Sequence, residues 1–225
     1  MAEAIISGII TAKKYKPENI KAYDINKTRL QYIENKYKII CSDDLKLCLA
    51  KSDIILLAVK PQIIKSVLKE ISTHYKNQIV ISIAAGVKTE IIVNILGDKC
   101  RIIRVMPNTP ALIQEGMSAI CKGGKATEED LDEIIKIFKA IGEVKELPES
   151  KFNAVTALSG SGPAYVFLMA EALMEAGLKA GLDKDTSLFL TTQTIIGASR
   201  MLKETGLHPA ELKNSVSSPS GTTLA

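Results

Sequence analysis

Two apolar runs constrain this chain more than anything else in it. They are Asp53-Ile54-Ile55-Leu56-Leu57-Ala58-Val59 and Gln78-Ile79-Val80-Ile81-Ser82-Ile83-Ala84-Ala85, dense in β-branched residues and without polar alternation. A strand wetted on one face alternates apolar with polar. A strand that does not is buried on both faces, as in a parallel sheet flanked by helices. Lys60-Pro61 closes the first run and Gly86 the second, and Arg101 to Met106 is a third, closed by Pro107-Asn108-Thr109-Pro110. Between them lie helical patterns: Pro61 to Thr73, started by its proline, and a helix capped by Thr89 that ends at Gly97. Strand and helix alternating at this pitch predict βαβ units with right-handed crossovers.

The same alternation extends both ways. Upstream, Met1 to Lys14 is an amphipathic helix with Ala4, Ile5, Gly8, Ile9 and Ala12 on one face. Ile20 to Asp24 is a short strand, Lys27 to Asn35 a helix, and Ile39 to Cys41 a brief strand. Asp43 or Asp44 caps a helix that runs to Lys51. Downstream, Met117 to Cys121 is a weaker strand and Gly123-Gly124 a turn. Thr127-Glu128-Glu129-Asp130 loads the start of a helix with acids, as the macrodipole favours; it runs to Ile141, and Gly142 to Leu147 is the last strand. Residues 1–148 therefore read as one α/β region with a mostly parallel sheet.

Residues 149–225 read as helical: Lys151 to Leu158, Pro163 to Ala180, Thr186 to Glu204, and a short helix from His208-Pro209 to Asn214, with His208 as its starting residue. Thr156 to Val166 contains Ser159-Gly160-Ser161-Gly162-Pro163, read as a loop that feeds a long buried helix. It is either a cap and hinge or the lining of a site between domains. Leu188, Phe189, Thr192, Ile195, Ile196, Ser199, Met201 and Leu202 make the next helix apolar or small around much of its circumference. Two helices cannot cover that much surface, so a partner chain is expected. The segment from Ser215 to Ala225 is dense in hydroxyls, with a helix start expected near Thr222. That suits a carboxylate or phosphate, or else it is a disordered Ser/Thr tail.

Composition narrows the function classes. A length of 225 residues allows one large domain or two small ones, with 46% hydrophobic residues for the core. The net charge of +4 and 4% aromatics argue against nucleic acid. No apolar run reaches bilayer-spanning length, and no secretory signal pattern opens the chain. Cys41, Cys48, Cys100 and Cys121 form no C-x-x-C pair and His74 and His208 are the only histidines, so no metal site is expected. Buried reduced thiols in a cytoplasmic protein are the reading of the cysteines. Ligands of parallel α/β sheets bind beyond the carboxyl ends of the strands. There, Ala58-Val59-Lys60-Pro61, Ala84-Ala85-Gly86 and Met106 to Pro110 are either a groove for a flat ligand or simply tight turns.

Taken together, Ala58-Val59-Lys60-Pro61, Ser82-Ile83-Ala84-Ala85-Gly86, Arg104-Val105-Met106-Pro107-Asn108-Thr109-Pro110, Leu158 to Tyr165 and Ser217-Ser218-Pro219-Ser220-Gly221-Thr222-Thr223 resemble the pyrroline-5-carboxylate reductase family, in order and along the whole chain. The resemblance implies a Rossmann-like domain followed by an all-helical dimerisation and substrate domain, in a homodimer or higher homo-oligomer. It implies reduction of L-1-pyrroline-5-carboxylate to L-proline, the last step of proline biosynthesis, with NADPH or NADH as cofactor. Ala58, Val59, Lys60, Pro61, Ile83, Ala84 and Ala85 would line the cofactor groove, and Asn108 would lie near the nicotinamide end. Ser217, Gly221, Thr222 and Thr223 would hold the substrate carboxylate and ring nitrogen. Thr223 is the candidate catalytic residue, as an orienting donor, because a threonine hydroxyl is a poor general acid.

The resemblance has departures. The family's glycine-rich loop and first strand precede its first helix, whereas Met1 matches a residue just past that loop. The family also continues beyond the match to Ala225, and Ser220 stands at a usual glycine. The expectation is a chain clipped at both ends, poorly stable and weak in cofactor binding by itself. Asp24 at a strand end suits a ribose hydroxyl and NADH; Asn26, Lys27 and Arg29 suit a 2′-phosphate or are a solvated helix face. Two other readings stay open: a β-hydroxyacid dehydrogenase-like oxidoreductase, and a degenerate dinucleotide-binding fragment that serves as an oligomerisation module.

Overall fold

The computed structural model describes residues 1–217. Its strands form two sheets. β1 (Lys21–Tyr23) and β2 (Ile40–Ser42) pair in parallel. The larger sheet has the order β3-β4-β5-β6-β7, with β3 Ile54–Leu57, β4 Ile79–Ser82, β5 Arg101–Met106, β6 Gly116–Gly124 and β7 Gly142–Glu146. β3, β4 and β5 are mutually parallel; β4 is buried throughout and β5 through its middle, whereas β3, at the edge of this sheet, buries Ile55 and Leu57 but leaves Ile54 and Leu56 half-buried, so the expectation of a strand covered on both faces does not hold for it. β6 runs antiparallel to β5 and parallel to β7. The sheet is thus mostly parallel within each of its two blocks.

Helices cover both faces. Ile79, Ile81, Ile103, Val105 and Ile120 pack on one side with Ala4, Ile5 and Ile9 of α1 (Ala2–Thr11) and Leu131, Ile134 and Phe138 of α6 (Glu128–Phe138). On the other side Ile55, Leu57, Val80 and Ile102 meet Ile64, Leu68 and Ile71 of α4 (Ile64–Ser72) and Ile92 of α5 (Thr89–Leu96). The period-two alternation within β4 and β5 divides them between the two layers. α2 (Lys27–Tyr37) and α3 (Leu45–Leu49) flank the small sheet, capped by Asn26 and Asp44. α6 opens with a capping box between Thr127 and Asp130. Asp130 also pairs with Arg101, which locks the helix start to β5.

Several expectations change. Thr89 does not cap α5: it is the first helical residue, and Lys88 before it is the cap and gives no side-chain bond. α1 stops at Thr11 rather than Lys14, where Lys13 adopts φ +52°. Gly123-Gly124 is no turn: β6 continues through both, because Gly124 pairs with Arg101 and the Lys125 N–H donates to the Cys100 carbonyl. Ser159 to Gly162 is no open loop. α7 (Phe152–Val155) runs into a π-type turn, Thr156–Gly160, closed by Ser161 N–H to Thr156 C=O at 2.8 Å, and α8 (Gly162–Lys179) follows. The Thr156 and Ser159 hydroxyls donate back to the Phe152 and Val155 carbonyls, which turns a glycine-serine signal into helix.

The chain forms two compact units, Met1–Pro163 and Ala164–Ala225. Phe152, 1% exposed against Ala119 and Cys121, belongs to the first. The second holds most of α8, then α9 (Lys184–Thr205) and α10 (Pro209–Ser215). α8 has no buried residue, and α9 buries only Ser187 and Thr191. The sequence reading of α8 as buried does not hold within one chain. Phe167, Leu168 and Phe189 stand more than half exposed, since two helices cannot cover each other's circumference.

Candidate functional site

β3 and β4 end level, and β5 runs two residues further, to Met106. Leu57 pairs with Ser82 and Ser82 with Arg104, and Ile83 N–H donates to Leu57 C=O at 3.2 Å. The three turns therefore leave one carboxyl edge, which brings together the residues expected to line a cofactor groove. Ala58 is exposed just past β3, Val59 half-buried and Lys60 exposed, and Pro61 opens a short 3-10 turn before α4. Past β4, Ile83 is half-buried, Ala84 buried and Ala85 exposed. Gly86 follows at φ +75°, in the left-handed region glycine favours, and a Cβ there would point into open space. Small side chains over an open edge fit a flat ligand.

Asn108 is fixed more firmly than its sequence suggests. Its Oδ1 accepts from the Met117 N–H at 2.8 Å and its Nδ2 donates to the Ser159 carbonyl at 3.0 Å. It therefore ties the end of β5 to the start of β6 and to the π-type turn. Gly160 lies at this junction, where a Cβ would stand 2.7 Å from Met106 Cε, the flexible end of that side chain.

Beneath this edge lies a charged group that sequence reading assigned no role. Glu149 Oε1 accepts from the Thr89 N–H at 2.8 Å and from Arg104 Nη1 at 3.0 Å, and Oε2 accepts from the Thr89 hydroxyl at 2.9 Å. The Arg104 guanidinium sits 4.6 Å from the centre of the Phe152 ring. Burial would raise the Glu149 carboxyl, but the Thr89 N–H, Arg104 and the Thr89 hydroxyl outweigh it and hold it below the usual range. Next to it, burial foremost and then the Glu149 charge push the Cys121 thiol up to about 12. The one signal in the sequence was Arg104 itself, set between Ile102-Ile103 and Val105-Met106 in the middle of β5.

The other residues singled out lie elsewhere. Asp24 follows β1 and accepts from the Asn26 N–H at 2.9 Å. Lys27 pairs with Asp43 at 2.9 Å and Arg29 with Glu3 at 2.6 Å, so both cations already have carboxylate partners. His208 starts α10, its Nδ1 accepting from the Ala210 N–H at 3.2 Å. Ser217 follows α10, its hydroxyl donating to the Lys213 carbonyl. Gly221, Thr222 and Thr223 lie outside the described residues. Cys48, Cys100 and Cys121 are buried and Cys41 is half-buried. Among the described residues no cluster of His, Cys, Asp and Glu could hold a metal ion, and no helix is long and apolar enough to cross a membrane.

Comparison with known proteins decides the family. The pyrroline-5-carboxylate reductase of Methanosarcina acetivorans is 43% identical over 225 residues, 100% of this chain and 83% of that protein. The chain belongs to the pyrroline-5-carboxylate reductase family. The family model "pyrroline-5-carboxylate reductase dimerisation" matches residues 149–225, and "NADP oxidoreductase coenzyme F420-dependent" matches residues 1–86. The Coxiella burnetii member superposes with a TM-score of 0.90 at 36% identity, covering 99% of this chain and 83% of that one. The Plasmodium falciparum member, solved with NADP bound, gives 0.89 at 33%, covering 98% and 82%. The Rossmann-like sheet followed by a helical domain is thus the fold of the family.

Proposed function

We propose that this chain reduces the cyclic imine L-1-pyrroline-5-carboxylate to L-proline with NADPH or NADH, the closing step of proline biosynthesis. The observation that carries the reading is the match to the Methanosarcina reductase along every residue of the chain. The site geometry agrees with it. Ala58, Val59, Lys60, Pro61, Ile83, Ala84 and Ala85 hold the cofactor along the carboxyl edge, and Asn108 sets its nicotinamide end. When bound, the nicotinamide supplies the hydride. What the protein contributes is positioning of the imine carbon against it.

Ser217, Gly221, Thr222 and Thr223 hold the substrate. Backbone N–H groups of Gly221, Thr222 and Thr223 take its carboxylate, and the Thr223 hydroxyl oxygen accepts from the ring N–H of the protonated imine, donating to the nitrogen only once hydride transfer has given it a lone pair. The imine enters protonated, so its nitrogen already carries the proton that the amine keeps. Two copies associate through α8 and α9, whose exposed apolar surface is the reason for a homo-oligomer in the cytoplasm.

The test is NAD(P)H oxidation followed at 1-pyrroline-5-carboxylate saturation, beside NAD(P)⁺ reduction with β-hydroxyacids. Imine-dependent oxidation is expected. Turnover of hydroxyacids alone would favour a hydroxyacid dehydrogenase, and no turnover of either would leave a dinucleotide-binding fragment.

A further inference from the structure

The turn that follows β4 is weakly held by its own bonds. Ala84 N–H reaches the Ser82 hydroxyl at 3.4 Å, and Val87 N–H reaches the Ala84 carbonyl at 3.4 Å. Both lie at the long limit for hydrogen bonds. The N-cap of α5, Lys88, gives no side-chain bond to the helix start. The first N–H groups of a helix need acceptors, and here the acceptor arrives from far along the chain. Glu149 takes both the N–H and the hydroxyl of Thr89, a residue three positions after Gly86. A carboxylate at a helix N-terminus also sits where the macrodipole favours it. Glu149 is itself held by Arg104, which is 5% exposed and paired in register with Ser82, the last residue of β4.

We propose that Glu149 is a positioning residue for the cofactor: its clasp on Thr89 and Arg104 fixes the Ala84–Lys88 turn against the sheet edge. The inference rests on the reading of Ala84 and Ala85 as cofactor-lining. Glu149 is also the first residue of the matched dimerisation segment, so the segment that carries the helical unit anchors the cofactor turn within the first unit. Asn108 is fixed separately by Met117 and Ser159. Loosening the clasp therefore weakens cofactor binding and spares the chemical step.

The experiment titrates NADPH by its fluorescence against wild type, Glu149→Gln, Thr89→Val, Thr89→Ser and Ala85→Phe. Glu149→Gln is expected to weaken binding about tenfold, the size of one charge-assisted hydrogen bond. KM for NADPH rises in step, while kcat and KM for the imine stay within about twofold. Thr89→Val keeps the Arg104–Glu149 pair and is expected to cost about threefold, Thr89→Ser restores wild-type binding, and the Thr89→Val/Glu149→Gln double variant is no weaker than Glu149→Gln alone. Hydrogen exchange at Ala85 to Thr89 quickens in the same variants and does not change in β5. If Glu149→Gln does not fold, Thr89→Val against Thr89→Ser decides the matter. Unchanged affinity in folded Glu149 and Thr89 variants, with Ala85→Phe impaired, overturns this inference alone. Unchanged affinity in Ala85→Phe overturns the cofactor reading and this inference with it.

Discussion

The two units of this chain reach opposite degrees of closure. Residues 1–163 bury their large side chains within one molecule: Phe138, Ile102, Ile103, Ile120 and Ile92 are wholly inaccessible. The second unit leaves Phe167, Leu168 and Phe189 at 66%, 67% and 70% exposure and, among the described residues, buries only Ser187 and Thr191. Apolar content does not separate them; layering does. A sheet with helices on both faces closes its own core, whereas two helices side by side need a third and a fourth. The first unit therefore closes its core with its own chain, and the second carries apolar surface that the proposed association would cover.

That contrast can be broken in several ways. The largest effect is expected from Phe138→Ala, which empties the centre of the first core. It should lower stability by about 3–5 kcal/mol, and the loss in denaturant titration should not depend on protein concentration. Phe167→Glu should act in the opposite manner. It places a charge on the apolar face through which association is proposed, so sedimentation should show self-association weakened about a hundredfold while a dilute chain unfolds nearly as before. A concentration-dependent Phe138→Ala, or a Phe167→Glu that destabilises without dissociating, would contradict the comparison.

Smaller effects sharpen it within the first unit. Asn108→Ala strips a partner from the Met117 N–H and the Ser159 carbonyl and should lower kcat/KM by about tenfold to a hundredfold, more than it lowers stability. Glu3→Gln should do least. Burial alone would raise the Glu3 carboxyl, but hydrogen bonds from Arg29, Lys36, Tyr37 and Tyr32 pull it from 4.5 down to about 2. A lowered folded-state value means stability that is present above pH 4.5 and lost as pH falls toward about 2. The melting-temperature gap between wild type and Glu3→Gln should therefore be full at pH 7 and close progressively in acid.

Legibility in the sequence followed burial. β4 and β5 were plain because a strand covered on both faces has no reason to alternate; β3 was plain as a strand although its burial alternates at the sheet edge. The closing Lys60-Pro61, Gly86 and Pro107 marked the carboxyl ends. α1 and α5 were plain from their apolar stripes, though the cap read at Thr89 was misplaced by one residue, and α6 was plain from its stripe and its acid-loaded, capped start. The end of β6 was hidden because glycines at 123 and 124 signal a turn locally; only pairing with Arg101 and Ile102 makes them strand. The π-type turn was hidden for a like reason, its hydroxyl bonds and the pull of Asn108 being invisible in Ser-Gly-Ser-Gly. Glu149 was out of reach altogether, since its partners Thr89 and Arg104 lie 60 and 45 residues away.

The burial of Phe152 has a bearing on how the protein is made. A chain leaves the ribosome amino end first and its domains fold as units. β3, β4 and β5 emerge well before the phenylalanine that covers Ala119 and Cys121. Until translation has passed the 150s, the nascent sheet carries an uncovered apolar flank and an arginine without its acid, so the first unit can set only when the leading part of the second is about to appear.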